Sequence, residues 1–274
     1  MQEVQHKMIN YQIVTSTKEK QVLKDGFQSF FKDAYSQILS DNDWKHQFLH
    51  SPYEESTLFL AFDNNKIVGS ALMIPQKYKT KRNQGTYYLW TTSAVLKDYR
   101  SQGVYAKLLS LQREHAYKNQ KDFIFAFPNK LAYPVVKLFG GFRDLYQVDL
   151  VKTSIDMLDL KNIENSLVID EDFFRWRFEH KDYLFYEIEN HIIISKRYEN
   201  ALDVLAIYKK EDMADLSLEL QSETISKDII TISSFLKQGA VFNGLDKLSG
   251  TYFPINKDID YNIIKLNLLM SDIF

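Results

Sequence analysis

Residues 95–109 read VLKDYRSQGVYAKLL. An apolar, β-rich run ends at Val95, a polar turn follows, and an apolar helical period begins directly after Gly103. Val104, Leu108 and Leu111 form one stripe, with Tyr105, Leu109 and Ala116 beside it. The spacing predicts a strand, a tight turn and a helix from Gly103 to Tyr117. The first N–H groups of such a helix lack intrahelical acceptors, and with the positive end of the helix dipole they suit a phosphate or pyrophosphate. Gly103 would let that anion approach the backbone closely, and a bulky replacement would cost little stability if the glycine only started a helix.

Working outward, Thr57 to Phe62 and Ile67 to Ile74 are β-rich runs joined by the polar link Asp63 to Lys66, a hairpin pattern. A third strand spans Thr86 to Val95, after a stretch (Lys77, Lys79, Lys81, Arg82, Asn83) expected to be an exposed loop. Upstream, Tyr11 to Val14 alternate as a short strand, and residues 17 to 39 place Val22, Phe27, Phe30, Phe31, Tyr35 and Ile38 at helical spacing. Downstream, Phe123 to Phe127 is a fully apolar strand of the kind that lies central in a sheet. A turn at Pro128 and Asn129 then leads to a short helix ending near Gly140 and Gly141, and strand Leu145 to Val151 closes the first unit.

Composition narrows the chemistry. The 274 residues are 45% hydrophobic and 26% charged, enough apolar side chain for a core. A net charge of -2 gives no global attraction to nucleic acid or an anionic membrane. The absence of Cys excludes disulfides, thiol nucleophiles and thiolate metal sites, and fits a reducing cytoplasm. Met1 to Asn10 has no apolar h-region and no run of 18 apolar residues occurs, so neither a standard secretion signal nor a membrane span is expected. The pair His46 and His50 has the spacing of a zinc-protease helix but carries Gln47 in place of its glutamate and no third ligand, and His180 and His191 show no ligand spacing; no metal is expected.

The second half repeats part of the first. Trp44, Phe48, His50 and Tyr53 align with Phe174, Phe178, His180 and Tyr183, and each stretch precedes β-rich runs, Tyr183 to Ser195 and Ala201 to Tyr208 forming the second hairpin. Two domains are therefore expected, 1–152 and 153–274. The second half has no counterpart of Arg100 to Gly103, since its expected helix, Ile232 to Gln238, ends in Gly239.

The stretch from Val95 resembles the acyl-CoA-binding motif of the GCN5-related N-acetyltransferases (GNAT), V-x-P-x-x-R/Q-x-x-G-x-G/A. Val95, Arg100 and Gly103 match, while Lys97 replaces the usual proline and Tyr105 a small residue. Phe127, Pro128, Asn129 and Ala132, with Gly141 and Phe142 closing a helix, resemble the family's second cofactor segment. The resemblance implies an α/β GNAT fold, a mixed central sheet flanked by helices, followed by a degenerate GNAT-like domain without cofactor that walls the acceptor site. It implies acetyl-CoA as co-substrate, its pyrophosphate on backbone N–H groups of Ser101, Gln102, Gly103, Val104 and Tyr105, and its pantetheine arm between the strands ending at Val95 and Phe127. Tyr133 is the candidate proton donor to the departing thiolate, one turn before the family's usual position at Val136.

The strand from Thr86 to Val95 carries no carboxylate and no His, so candidates for the general base are His50, Glu54 and Glu55, and, by analogy with tandem members, the C-terminal carboxylate of Phe274. The segment Phe173 to Tyr183 also resembles members linked to bacterial polysaccharide or amino-sugar modification. The expected activity is transfer of an acetyl group from acetyl-CoA to an amine of a small molecule, an amino sugar being one such acceptor, with no nucleic-acid or membrane partner. Two rivals remain at this stage: a non-catalytic CoA- or carbohydrate-binding pseudo-acetyltransferase, and an aminoacyl-tRNA-dependent transferase. The sequence leaves the oligomeric state open.

Overall fold

The computed structural model describes residues 8–179, 182–198, 201–222, 228–240, 243–265, 267 and 269. The chain divides into two compact units. The first holds Met1–Gln76, Thr86–Arg143 and Tyr252–Lys257; the second holds Lys77–Gly85, Asp144–Thr251 and Asp258–Phe274. The main passage from the first unit to the second lies at Arg143/Asp144, and two short segments leave their sequence neighbours. The first does so because Lys79 N–H donates to Ser166 O (2.8 Å) and Tyr78 bridges Leu167. The second returns to the first unit, where Ile255 and Asn256 N–H donate to Asp122 O (3.0 and 2.9 Å).

In the first unit β1 (Ile9–Val14) leads into α1 (Thr17–Tyr35), which stops four residues short of the expected end at Ser36, a residue in the left-handed region (φ 57) whose N–H donates to Lys32 O. The N-cap Ser16 makes no side-chain cap, and Glu55 supplies it: Oε1 accepts from Thr17 N–H (3.2 Å) and Oγ1 (2.9 Å), which holds the Glu55 carboxyl below its usual range. The buried face of α1 carries Phe27, Phe30 and Phe31. Phe27 meets Trp44 (5.3 Å) and Phe48 (4.8 Å), which stack on each other at 4.6 Å.

Trp44 ends α2 (Asp41–Trp44), and the chain continues as one wide turn, Lys45–Leu49, closed by His50 N–H to Lys45 O (2.9 Å), a five-residue span. This widening parts the two imidazoles: His46 is buried and His50 exposed. Strands β2 (Thr57–Asp63) and β3 (Lys66–Lys79) form the expected hairpin around Asn64 (φ 53), followed by β4 (Gln84–Val95), α3 (Val104–Lys118), β5 (Phe123–Ala126) and α4 (Ala132–Leu138). Helix α3 lies tightly over β3 because Gly69 has no side chain: a Cβ there would meet Val104 Cγ1 at 3.0 Å and Leu108 Cδ1 at 3.3 Å.

The second unit comprises α5 (Glu171–Phe178), β7 (Leu184–Ile188), β8 (His191–Tyr198), β9 (Ala201–Lys209), β10 (Asp228–Ile232), β6 (Arg143–Ser154) after its first residue and β11 (Asn243–Pro254) as far as Thr251, with strand order β11-β6-β10-β9-β8-β7. Asp170 caps α5 by accepting from Phe173 N–H (3.0 Å). The β7–β8 and β8–β9 pairs are antiparallel and β9–β10 is parallel. Two expectations are corrected here. Residues 183–195 are not one strand but the hairpin β7–β8, turned at Glu189 (φ 53) and Asn190, with β9 a third strand. Residues 232–238 are not a helix: Ile232 ends β10, whose register against β6 (Ile230 opposite Lys152, Ile232 opposite Leu150) fixes it as strand, and only a 3-10 turn, Ser233–Phe235, follows. His180 lies outside the described residues. No described helix is long and apolar enough to cross a membrane.

One buried charge marks the first unit. Lys20 is fully buried, and its Nζ donates to Ser56 O (2.5 Å) and Oγ (3.0 Å) with no ion pair among the described residues. Burial pulls its pKa down to about 8, against a smaller opposing pull from Glu55. Between that value and the ordinary 10.5 the unfolded chain binds the proton and the folded chain does not, so stability rises with pH through this window. Denaturant unfolding at pH 7.5 and pH 10 should show the wild type gaining on the order of 2 to 3 kcal/mol over Lys20→Met. Parallel pH curves for the two proteins would contradict the assignment.

Candidate active site

Strands β4 and β5 run parallel over Tyr88–Trp90 against Ile124–Ala126 only. β5 then stops, while β4 continues to Val95. β4 stays tied to β3, since Ser70 Oγ donates to Thr92 O (3.2 Å) and Leu96 N–H donates to Val68 O (2.9 Å). The result is a wedge whose β4 wall is left without strand pairing on its β5 side. Within that wall Thr92 has φ 48, a conformation a β-branched residue rarely adopts, and its Oγ1 is buried with no hydrogen-bond partner.

The chain leaves β4 through a 3-10 turn, Lys97–Tyr99, whose form is held by side chains. Tyr99 Oη donates to Asp63 Oδ2 (2.6 Å), Arg100 Nε to Val95 O (3.1 Å) and Gln102 Nε2 to Asp98 O (2.8 Å). Ser101 (φ 67) and Gly103 (φ 76) are both left-handed and flank Gln102, all three exposed. Their N–H groups donate to no backbone carbonyl among the described residues. Alternating hands of this kind turn successive N–H groups towards one concavity, which suits an anion. Nothing lies within 4 Å of where a Cβ on Gly103 would be, so the approach is open. Val95 and Val104 are buried beneath the turn, and the Arg100 side chain braces it.

Tyr105, which stands where the resembled motif has a small residue, turns onto β4. It hydrogen-bonds Ser93, its ring lies 6.0 Å from that of Trp90, and Trp90 Nε1 donates to Ser93 Oγ (3.0 Å). Burial pushes the Tyr105 phenol up to about 12, and raises Tyr35 as well, with Tyr105 adding a further push. The Tyr35 Oη is buried without a hydrogen-bond partner. Sequence reading missed this Trp90–Ser93–Tyr105–Tyr35 group, because its members come from three elements.

The other sequence candidates disperse. Asn129 works as a helix cap: Oδ1 accepts from Leu131 and Ala132 N–H (3.1 and 2.9 Å), and its carbonyl from Tyr133 N–H (2.9 Å). Tyr133 is half-buried on α4, with Lys137 Nζ 5.9 Å from its ring centre, while Val136 is wholly buried. Glu54 pairs with Lys121 (2.6 Å), which directly precedes β5 and so stands at the opposite end of that strand from Asn129. Beside it, Lys121 lies 5.4 Å from the Tyr88 ring, Tyr88 Oη is 3.3 Å from His115 Nε2, and burial pushes the His115 imidazole down. His50 is exposed after the wide turn, Glu55 caps α1, and Phe274 lies outside the described residues. The structure thus gathers Val95 to Tyr105 in one place and leaves Glu54 away from it.

Residues 14–141 match the family model of the acetyltransferase (GNAT) domain, a span that contains both the wedge and the turn. No curated protein matches the chain. Among solved structures, a GCN5-related N-acetyltransferase from Kribbella flavida has TM-score 0.62 and 11% identity, covering 90% of this chain and 72% of its own. A second, from Anabaena variabilis ATCC 29413, has TM-score 0.60 and 9% identity, with 90% and 73% covered. At such identities the likeness is one of fold. Over residues 14–141, a little under half of its length, the chain is thus similar to the acetyltransferase (GNAT) domain, a domain of N-acyltransferase enzymes.

The φ of Gly103 corrects the expectation that any replacement would be cheap. Gly103→Val places a β-branched side chain in the left-handed region and should lower the unfolding free energy by on the order of 1 to 2 kcal/mol. Gly103→Asn, which tolerates that region, should stay much closer to the wild type by chemical denaturation. Equal loss in both would show that space, not backbone conformation, governs the position.

Proposed function

We propose that the chain transfers an acetyl group from acetyl-CoA to a primary amine of a small molecule, in the cytoplasm. The observation that supports this most directly is the end of β4–β5 pairing at Trp90 and Ala126 beside the exposed, left-handed turn at Ser101 and Gly103. A diphosphate fits the turn through the N–H groups of Ser101 to Tyr105, and an extended amide-bearing arm fits the unpaired wall of β4 from Thr91 to Val95. Asn129 supports the other side by fixing the start of α4, which carries Tyr133.

In this reading the unprotonated amine attacks the thioester carbonyl, the C–S bond breaks, and the amide keeps the acetyl group. A backbone N–H of β4 near Thr92 stabilises the oxyanion. The Tyr133 hydroxyl gives its proton to the thiolate, and the proton of the attacking nitrogen passes to water. Glu54, neutralised by Lys121, has no part in the step. The amino-sugar class of acceptor rests on the resemblance of Phe173 to Tyr183.

Acetyl-CoA at about 100 times its dissociation constant should stabilise the folded chain by roughly 2.7 kcal/mol, read as a rise in melting temperature. Gly103→Asn should reduce that affinity at least about tenfold. Tyr133→Phe should keep the thermal shift while kcat falls at least about tenfold, within the usual range for general acid catalysis. No shift with any acyl-CoA would end the reading. A shift without thiol release across a panel of amines and amino sugars would favour a binding module.

A further inference from the structure

The second unit has a cleft of about 940 Å³, a size that suits a small organic ligand. One wall is the β3–β4 tip, the polar stretch that the sequence marked as a plain loop; the other is residues 161–169. The cleft carries five cations, Lys79, Lys81, Arg82, Lys161 and Lys209, and two carboxylates, Glu164 and Asp212, a balance of 5 - 2 = +3 on a chain whose net charge is -2. Glu164 is taken by Lys81 (2.5 Å), which holds its carboxyl below the usual range, and Lys209 sits 3.6 Å from Glu211. Lys79, Arg82 and Lys161 make no ion pair among the described residues.

These cations are held by a built turn. Thr80 N–H donates to Asn83 O (2.7 Å), Thr80 Oγ1 accepts from Asn83 and Arg82 N–H (2.9 and 3.3 Å), and Lys79 N–H is bound to Ser166 O. The floor combines apolar and polar chemistry. Ile207 and Ile263 line it, and His191, directly across the β8–β9 pair from Lys209, has a buried Nδ1 with no hydrogen-bond partner. Unpaired like charges gathered in a concave, partly apolar site raise the local positive potential and draw an anion. A guanidinium and two ammonium groups suit several phosphate oxygens, while the isoleucines and the imidazole suit a flat or apolar body with a polar edge.

We infer that the second unit binds an organic diphosphate of nucleoside-diphosphate type in this cleft, with Arg82, Lys79 and Lys161 on the phosphates and His191 on the organic part. The inference is independent of the transferase reading, since no residue is shared with the β4 wedge or its turn.

The test is calorimetric titration of the full chain, held saturated with acetyl-CoA or, if that is not bound, alone, with UDP, ADP, uridine and inorganic pyrophosphate. At least one nucleoside diphosphate should bind, with affinity falling steeply as salt rises. The exposed substitutions Arg82→Gln and Lys161→Gln together should weaken it at least about tenfold and leave the acetyl-CoA thermal shift unchanged, and His191→Ala should weaken the nucleotide but not pyrophosphate. Absence of diphosphate binding, binding untouched by the double substitution, or pyrophosphate binding as tightly as the nucleotides would each overturn the inference.

Discussion

Strand β4 neighbours β3 in the sheet and is bonded to that side at Thr92 and Leu96, but it pairs with β5 over only three residue pairs, and the first unit is organised around that mismatch. A parallel pair that simply ended would leave two strand edges open to solvent or to another chain. Here β5 ends in Ala126 and the chain turns away, while β4 and the residue after it are tied to Ser70 and Val68 on the other side. The unpaired wall is therefore a fixed surface, and the left-handed Thr92 lies on it. Backbone strain of this kind persists only where the surroundings over-determine it. The closely packed Gly69–Val104 contact does so for the helix side, by fixing where α3 must begin relative to β3.

Legibility followed the range of the interactions involved. The strand, turn and helix from Val95 to Lys118 could be read because apolar period and Gly103 are local signals. Ser101 could not be recognised as left-handed, since a serine carries no such mark and its conformation comes from the bonds of Arg100 and Gln102 around it. Glu54 reads as a free carboxylate in sequence, and its partner Lys121 stands 67 positions away. The run from Ile232 to Gln238 is apolar enough for helix or strand, and pairing of β10 with β6 settles it. The turn at Glu189 was hidden for the opposite reason: glutamate is an uncommon turn residue, so 183–195 read as one strand.

The two units share a succession of strands and differ in one link. β2, β3, β4 and β5 are followed in kind by β7, β8, β9 and β10, with a parallel pair last in each. Parallel strands need a long crossover, and in the first unit α3 supplies it, bringing its N-terminal N–H groups to the end of β4. Between β9 and β10 the described residues contain a 3-10 turn, Lys210–Met213, and no α-helix. Among the described residues that link β9 to β10 there is therefore no helix start to match the one that follows β4. In the second unit cationic groups are gathered by side chains instead, with Lys79, Arg82 and Lys161 lining one cleft.

Two buried phenols, Tyr105 and Tyr35, lie in the aromatic group that packs on β4 through Trp90 and Ser93, and a phenol suits that place for a physical reason. A carboxylate or an ammonium buried beside Thr92 would need a paired counter-charge or would lose its charge. A phenol costs far less to bury, because it is already neutral at pH 7, and burial pushes its pKa further from that pH, as at Tyr105 and Tyr35. Such groups keep their proton at neutral pH and add no standing charge that burial would penalise. They are poor bases for the same reason, since a phenol with a raised pKa is seldom ionised at neutral pH. Buried phenols of this kind supply hydrogen bonds and fixed positions but neither a ready acid nor a base, so a proton released on this wall has to pass to water or to a group outside the aromatic cluster.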